Sequence, residues 1–330
     1  MKKDSKKINI VVIGGGTGSF VVLAGLKKYP LNLTAIVSVT DSGGSTGRLR
    51  TEFGFLPVGD MRQCLAALAQ EDSFIRKLLL YRFSKGKGLK GHNLGNLILT
   101  ALTEISGSEA KALEIASNTF FLKGKILPIT TDNIQLKAEY ENGKVLNGEH
   151  EIDEPKHKGG LLISKLSCGP KSKIYLPVKK AILDANYIIL GPGDLYTSIL
   201  PNLVVGKVKT VLKQTRAKLI YIVNLMTRYS QTPGFTAKDH VDEVEKYLGR
   251  KIDYVLINNK KIPEKIIKLY KKEKGYPVRD DLSVSLKYKI IRKNFLKSEM
   301  IRKPEADVLQ RSYLRHDSEK LARSIISLIK

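Results

Sequence analysis

The sequence predicts an α/β fold in which a mainly parallel sheet carries helices on its faces and one segment forms a β-rich insertion. Short apolar runs that end in glycine turns indicate the strands, and helical periodicity between them indicates the crossover helices. An Asn-Gly pair between two alternating runs is typical of a hairpin and indicates the insertion. The 330 residues suffice for one large α/β domain, and we expect residues 1–330 to form it.

The first strand, helix and second strand are predicted near the start of the chain. Residues 8–13 are apolar, largely β-branched, and end at a glycine-rich turn. Residues 19–28 then have helical spacing, which Pro30 stops, and residues 33–39 form a second strand of the buried type. A strand, a glycine turn, a helix and a strand make a βαβ unit, and such units build parallel sheets.

Helices and then the insertion are predicted in the middle of the chain. Helical periodicity extends over residues 59–117, with a loop at 85–91. Residues 123–178 change character, and we predict the β-rich insertion there, with a hairpin formed by residues 134–140 and 145–151.

The α/β pattern returns after the insertion. Further strands are predicted at three places: 187–190, 219–224 and 252–257. Residues 260–330 are the most basic part of the chain, and we expect this region to pack on the core. It should end in a helix over residues 316–328, capped by Asp317 or Ser318.

The chain is strongly basic, with 57 Lys and Arg against 32 Asp and Glu and a formal net charge of +25. Such a charge suggests nucleic acid or an anionic membrane as partners. Only 14 of the basic residues are Arg, the side chain on which phosphate- and base-reading surfaces usually depend. We therefore expect a solvated lysine-rich surface and no nucleic-acid partner. The alternative, a nucleic-acid binder, predicts steep salt dependence of binding.

The two cysteines, Cys64 and Cys168, are too few for a disulfide framework or a zinc site. Cys64 lies in an apolar helical run, so we expect a buried, reduced thiol. No apolar stretch approaches the roughly 20 residues that span a bilayer. The N-terminal apolar run is too short for a signal peptide. We therefore expect a cytoplasmic protein without a membrane span.

The turn after the first strand contains Gly14, Gly15, Gly16, Thr17 and Gly18. Glycines between a strand and a helix let the backbone approach a phosphate, and the helix N-terminus supplies free N–H groups. An NAD fingerprint would have a third glycine where this chain has Ser19, and no P-loop lysine follows. We predict phosphate binding, against the alternative of a tight turn whose glycines serve packing only.

A second glycine-rich turn follows the second strand and contains Asp41, Ser42, Gly43, Gly44 and Arg48. Because the carboxyl ends of neighbouring parallel strands face one crevice, we expect both turns to meet there. We predict that the glycines hold a diphosphate, that Arg48 donates to phosphate, and that Asp41 holds a ribose hydroxyl or Mg²⁺. The alternative is a flexible polar loop.

Polar residues also stand at the start of two further helical runs. Asp60 is either the N-cap of its helix or a second carboxylate that joins Asp41 at a metal or substrate. His92, Asn93 and Asn96 flank a glycine and can place donors on a sugar or a phosphate. His92 is a candidate general base, against the alternative of a histidine that only hydrogen-bonds. Asp41, Asp60 and His92 are the candidate catalytic residues.

Glycines and polar side chains also follow two later predicted strands. Gly191, Gly193 and Asp194 follow one strand, and Asn224 and Thr227 follow the next, so we expect all five at the same rim. The chain has no G-x-S-x-G elbow, Cys–His pair or HExxH motif. Hydrolase nucleophile chemistry therefore has no support in the sequence.

An ordered set of motifs runs from residue 8 to about 240, followed by a weaker one near the C-terminus: VVIGGGTGS, TAIVSVTDSGGSTGRLR, PVGDMRQCLAAL, LLLYRF, GHNLGNLIL, GPGDLYTSILPNLVV, NLMT with GFTAKDH, and YLRHDSEKLARSI. With this set the sequence resembles the YvcK/CofD-like family, and within it the YvcK branch, known as gluconeogenesis factors. The resemblance implies a Rossmann-like, doubly wound core with a β-rich insertion.

The resemblance implies two different functions. CofD relatives are magnesium-dependent transferases that move a 2-phospholactyl group from a nucleotide carrier onto a deazaflavin alcohol. YvcK relatives bind UDP-sugars and act in the cytoplasm as regulators of cell shape and of growth on gluconeogenic carbon sources.

The resemblance also implies site residues by position. The glycines at 14–18 and 43–44 would hold the diphosphate, and Asp41 and Asp60 would be associated with a metal. The nucleotide pocket would be lined by Gly191, Gly193 and Asn224. The family usually has a second Asp where this chain has Ser42, which removes one carboxylate from a Mg²⁺ site.

The leading hypothesis is a cytoplasmic regulator that binds a nucleotide sugar, a UDP-sugar, without an evident catalytic set. The alternative is a Mg²⁺-dependent transferase of the phospholactate type, in which an alcohol attacks the β-phosphorus of a nucleotide-linked donor. The sequence establishes no cofactor, and whether the site binds Mg²⁺ is left open. A homo-oligomer and protein partners are left open.

Overall fold

A computed structural model describes residues 7–156, 160–169, 172–283, 288–299 and 312–329. The strands are β1 (Asn9–Gly14), β2 (Asn32–Val37), β3 (Lys125–Pro128), β4 (Leu136–Tyr140), β5 (Val145–Asn147), β6 (Ile163–Cys168), β7 (Tyr187–Leu190), β8 (Lys218–Ile222), β9 (Tyr254–Asn258) and β10 (Lys289–Lys293). The helices are α1 (Gly16–Leu26), α2 (Gly44–Phe53), α3 (Gly59–Leu68), α4 (Phe74–Leu80), α5 (Leu94–Ser106), α6 (Glu109–Thr119), α7 (Glu149–Asp153), α8 (Leu176–Leu183), α9 (Leu200–Leu203), α10 (Val208–Gln214), α11 (Ala237–Leu248), α12 (Glu264–Lys272) and α13 (Ser318–Ile329). A short π-helix, Leu195–Ile199, precedes α9.

Seven of these strands form one parallel sheet in the order β10-β9-β8-β7-β1-β2-β3. The central strand β1 is buried from Ile10 to Gly14, which is typical of a strand with helices on both faces of its sheet. Contacts divide the packed helices into two groups, with α1, α3 and α13 in one and α8, α9, α10 and α11 in the other. The predicted Rossmann-like α/β fold with a mainly parallel sheet is confirmed.

The strand order creates a topological switch point beside β1. The chain leaves β1 for β2 and β3 on one side, and it later builds β7, β8, β9 and β10 on the other. In open α/β sheets, ligands bind outside the carboxyl ends of the strands at such a point. The loops after β1, β2, β7 and β8 therefore share one rim.

Several element ends differ from the predicted ones. α1 begins at Gly16 rather than at residue 19, because Gly16, Thr17 and Gly18 already have helical backbone. β2 and β8 each end two residues earlier than predicted, which places polar residues in the loops at the rim. Asp317 caps α13 as predicted, since its Oδ1 accepts the amides of Glu319 and Lys320 at 3.0 Å.

The antiparallel part of the structure is smaller than the predicted insertion at residues 123–178. β3 pairs with β2 in the large sheet, and the antiparallel sheet has the order β5-β4-β6. The β4–β5 hairpin confirms the Asn-Gly prediction. Its second arm was predicted to extend to residue 151 but ends at Asn147, because Gly148 has a φ of 100° and α7 follows. Residues 157–159 and 170–171 lie outside the described residues.

The described part of the basic C-terminal region packs on the core. α13 lies against α1 so closely that an added Cβ at Gly25 would be 2.2 Å from the carbonyl oxygen of Ser318. α12 places Ile266 and Tyr270 in a smaller apolar cluster. The lysines between residues 260 and 274 are exposed, as a solvated face requires. Residues 284–287, 300–311 and 330 of this region lie outside the described residues.

The large apolar core contains Cys64, which is fully buried as predicted, and burial raises the pKa of its thiol. In the part of the chain that the structure describes, no helix is both long and apolar enough to cross a membrane.

Candidate functional site

A pocket of about 250 Å³ opens at the rim formed by the carboxyl ends of β1, β2, β7 and β8. The first residues of α1, α2 and α3 line it. Amide N–H groups in the first turn of a helix lack helical partners, and the helix dipole makes that end positive. Three such ends in one pocket form a site suited to an anion such as a phosphate.

The first glycine turn contacts the pocket through its later residues. Gly16, Thr17 and Gly18 line the pocket, whereas Gly14 ends β1 and Gly15 is the N-cap of α1. At Gly18, an added Cβ would lie 1.6 Å from the carbonyl oxygen in the cis-proline turn after β7. Glycine therefore permits a close approach between α1 and that turn.

The second glycine turn contributes Asp41, Gly43 and Gly44 to the pocket wall, followed by Ser45 and Thr46. The Oδ1 atom of Asp41 accepts the amide N–H of Gly43 at 3.0 Å. The carboxylate therefore fixes the turn as well as facing the pocket.

Two predicted residues of this turn lie outside the pocket wall. Arg48 is exposed on α2, and its guanidinium would be 3.3 Å from an added Cβ at Gly91. The hydroxyl of Ser42 accepts the amide N–H of His150, on α7, at 3.0 Å. Contact of Arg48 or Ser42 with a phosphate therefore stays a prediction.

Asp60 lies in the pocket, but it does not cap α3. The helix begins at Gly59 with Val58 in the cap position, so the predicted N-cap role of Asp60 is wrong. An added Cβ at Gly16 would be 2.6 Å from Asp60 Oδ1, and one at Gly59 would be 2.7 Å from Asp41 Oδ2. The two carboxylates therefore lie against glycines at the starts of two helices.

His92, Asn93 and Asn96 have three different roles. Asn93 caps α5, since its Oδ1 accepts two amides of the first turn at 2.9 and 3.4 Å. Asn96 lines the pocket and donates to Ser45 Oγ at 3.3 Å. His92 lies behind Ser45, with Nδ1 3.2 Å from its Oγ, and burial together with the charge of Arg48 lowers the pKa of His92. Only Asn96 of the three reaches the pocket wall.

The loops after β7 and β8 form another wall. Gly193, Asp194 and Asn224 line the pocket, whereas Gly191 and Thr227 lie outside it. Asn224 Oδ1 is buried and has no hydrogen-bond partner among the described residues, so its acceptor capacity is unused. Thr227 Oγ1 instead accepts a backbone amide at 3.0 Å.

α7 brings two carboxylates that the sequence analysis missed, Glu149 and Asp153. Glu149 Oε2 accepts the amide N–H of Ser42 at 3.4 Å. Burial raises the pKa of Glu149 well above its usual range, and the negative charges of Asp41, Asp153 and Asp60 raise it further. The Glu149 side chain therefore lies beside the second glycine turn.

Arg228, in the loop after β8, was also missed and pairs with α7. Its guanidinium lies 2.5 Å from Asp153 Oδ2 and 3.5 Å from Asp194 Oδ2. Gln231 Nε2 donates to Asp153 Oδ1 at 2.7 Å. Burial raises the pKa of Asp153 to about 6; the charge of Arg228 opposes this shift, and those of Asp194 and Glu154 add to it. This network joins α7 to the loops after β7 and β8.

The segment before α13 supplies a further wall that the sequence analysis did not assign. Leu314, Arg315 and His316 line the pocket. Burial lowers the pKa of His316 to about 4, so its ring is neutral near pH 7. The only signal in the sequence was the weaker C-terminal motif.

The pocket's charges and oxygen ligands fit a magnesium ion that binds together with a phosphate. The lining residues include six carboxylates against four guanidinium groups. Among the described residues, no cluster of three or more His, Cys, Asp or Glu side chains forms a metal site by itself. Mg²⁺ usually binds through one or two carboxylates and the substrate's phosphates. Asp41 and Asp60 would hold it, and the ion would neutralise phosphate charge.

Known proteins match nearly the whole chain, both in sequence and in structure. The sequence model of a family described as 2-phospho-L-lactate transferase CofD matches residues 10–296. A gluconeogenesis factor of Bacillus subtilis strain 168 is 38% identical over 327 residues, which cover 98% of this chain and 99% of that protein. A gluconeogenesis factor of Halalkalibacterium halodurans is 42% identical over 275 residues, with 83% and 84% coverage. A crystal structure of a Bacillus halodurans protein superposes with a TM-score of 0.87 at 38% identity, covering 97% of this chain and 100% of that one.

Fold and site together define an α/β protein in which three helix N-termini face one pocket at the switch point of a parallel sheet. The chain belongs to the CofD family, and its relatives over nearly full length are the gluconeogenesis factors of the YvcK branch. This confirms the family that the motifs predicted.

Proposed function

We propose that the pocket binds a UDP-sugar through its diphosphate, and that the chain acts as a cytoplasmic regulator of cell shape and of growth on gluconeogenic carbon sources. The observation that carries the binding half is the convergence of three helix N-termini on one pocket. The role in growth on gluconeogenic carbon sources is supported by the relatives named gluconeogenesis factor. The role in cell shape rests on the resemblance to the YvcK branch alone.

The extent of the rim supports an extended nucleotide. β2, β1, β7 and β8 are successive neighbours, so the glycine turn after β2 and the loop after β8 are about 14 Å apart at ordinary strand spacing. A ligand whose diphosphate lies at the glycine turns would then extend toward Asn224. The buried Oδ1 of Asn224 has unused acceptor capacity and suits an N–H or O–H donor of that ligand.

Calorimetry with UDP-N-acetylglucosamine tests the binding half. We expect saturable binding that Asn224→Ala weakens about tenfold, because one buried hydrogen bond to the ligand is lost. Asn186→Ala is the matched control, since Asn186 lies at the amino end of β7 and its Oδ1 accepts the amide of Asn9. No binding of this or any other UDP-sugar would overturn the proposal.

A transferase of the phospholactate type is the second candidate, favoured by the family description and by the two carboxylates in the pocket. In that reaction an alcohol oxygen bonds to the β-phosphorus, the bond to the nucleoside monophosphate breaks, and the alcohol proton leaves. Asp41 and Asp60 would hold Mg²⁺ at the diphosphate.

A turnover assay separates the two candidates. Metal-dependent conversion of a nucleotide-linked donor, abolished in Asp41→Asn, would establish the transferase. Binding of UDP-sugars without turnover, with or without Mg²⁺, would favour the regulator.

A further inference from the structure

A second cavity of about 460 Å³ adjoins the pocket described above. The two share walls that include Asp153, Asp194 and Arg228. The second cavity thus opens on the far side of the Arg228 network, and the three helix N-termini do not line it. Its volume lies within the range of small-molecule sites.

The side chains around this second cavity have the chemistry of a carbohydrate site. Thr227, Ser230 and Tyr229 line it with groups that can both donate and accept hydrogen bonds. Glu154 and Glu273 add carboxylates, which accept hydrogen bonds from ligand hydroxyls.

The charge around the second cavity is strongly negative. Asp153, Glu154, Asp194 and Glu273 line it, and Arg228 is the cationic side chain among the described lining residues. Arg228 is already paired with Asp153 and Asp194. Lys274 lies outside the lining but contacts it, since its Nζ donates to Tyr229 Oη at 3.3 Å and lies 4.5 Å from the centre of that ring. Four acidic side chains outnumber these two cations, so a ligand carboxylate would meet a net negative charge.

We infer that the second cavity receives the sugar of the nucleotide sugar and selects neutral, hydroxyl-rich sugars over sugars that carry a carboxylate. The inference rests on the proposed function, because it places the diphosphate at the glycine turns. It adds a sugar subsite and a rule of specificity that neither the family match nor the relatives' names supply.

Titrations with UDP, UDP-glucose and UDP-glucuronic acid test the inference. The two sugars differ at C6, which is a hydroxymethyl group in one and a carboxylate in the other. We expect UDP-glucose to bind more tightly than UDP-glucuronic acid by on the order of tenfold or more. UDP serves as the reference in each titration.

Charge variants on the cavity wall and outside it make the test specific. Glu273→Gln should narrow the ratio of the two affinities several-fold, and Ser230→Asp should widen it. Glu264→Gln is the matched control, because Glu264 is exposed at the start of α12 and outside both cavities. The control should leave the ratio unchanged.

The possible failures are distinguishable. Equal affinities for UDP-glucose and UDP-glucuronic acid would overturn the sugar subsite, and so would a ratio of these affinities that Glu273→Gln and Ser230→Asp leave unchanged. In either case, binding of UDP would still support the proposed function. Absence of binding by all three nucleotides would overturn the proposed function and the inference with it.

Discussion

Two sides of the pocket are built on different physical principles. The glycine side consists of residues 16–18, 43–46 and 59–60, and it offers backbone N–H groups at three helix starts. The insertion side consists of α7 together with Asp194 and Arg228, and it offers paired and buried charges. The glycine side depends on the absence of side-chain volume, whereas the insertion side depends on a balance of charge. Substitutions that change only volume or only charge should therefore affect the two sides differently.

The largest effect is expected from Gly18→Ala on the glycine side. Helix propensity alone would make alanine favourable by up to about 1 kcal/mol. The added Cβ would lie 1.6 Å from the carbonyl oxygen of Pro192, and a backbone atom cannot move aside cheaply. We expect the free energy of unfolding to fall by about 3 kcal/mol or more, measured by urea denaturation.

Gly169→Ala is the control for this volume effect. Among the residues that the structure describes, none has an atom within 4 Å of an added Cβ there, and Gly169 does not have a positive φ. We expect a change within about 0.5 kcal/mol. A Gly18→Ala protein as stable as the wild type would show that α1 and the turn after β7 are not in close contact.

The glycine side was predictable because its information is local in the chain. A glycine run after an apolar strand, repeated after β2, predicts two turns that meet at one rim, and the parallel strand order brings them together. The fold class and the hairpin follow from equally local patterns. The cap role of Asp60 was predicted wrongly because Asp60 is a typical capping residue, yet the N-cap of α3 is Val58, two residues earlier in the chain.

The insertion side, apart from Asp194, was not predictable because its partners are far apart in the chain. Asp153 meets Arg228 and Gln231 only when the antiparallel insertion lies against the loop after β8. Residues 145–151 alternate like a strand, and that pattern hid α7. Gly148 followed by acidic residues was the available sign of a helix start.

A pH-dependent effect of intermediate size is expected on the insertion side. Burial raises the pKa of Asp153 to about 6, above the usual value of 3.8. The folded protein therefore holds a proton that the unfolded chain releases, and the resulting stability is fully present below pH about 4 and lost as the pH rises toward 6. We expect this contribution to be about 2 kcal/mol, measured as the difference in unfolding free energy between pH 4 and 7.

Asp153→Asn isolates this contribution because the variant has no proton to release there. Relative to the wild type, it should gain about 2 kcal/mol on going from pH 4 to pH 7. Glu264→Gln, which removes an exposed carboxylate, should follow the wild-type profile. Parallel profiles for wild type and Asp153→Asn would contradict a buried, proton-holding Asp153.

The smallest effect is expected at Ser42, where the two sides meet. Ser42→Ala removes the hydroxyl that accepts the amide of His150 and leaves the Ser42 amide that donates to Glu149. One such hydrogen bond contributes about 1 kcal/mol to the free energy of unfolding.

Ser164→Ala is the control, since it removes a hydroxyl that donates to Glu139 O at 2.8 Å within the antiparallel sheet. If Ser42 couples α7 to the glycine turn, Ser42→Ala should weaken UDP-N-acetylglucosamine binding several-fold, while Ser164→Ala should leave it unchanged. Equal affinities of the two variants for UDP-N-acetylglucosamine would mean that the two sides of the pocket act independently and that Ser42 does not join them.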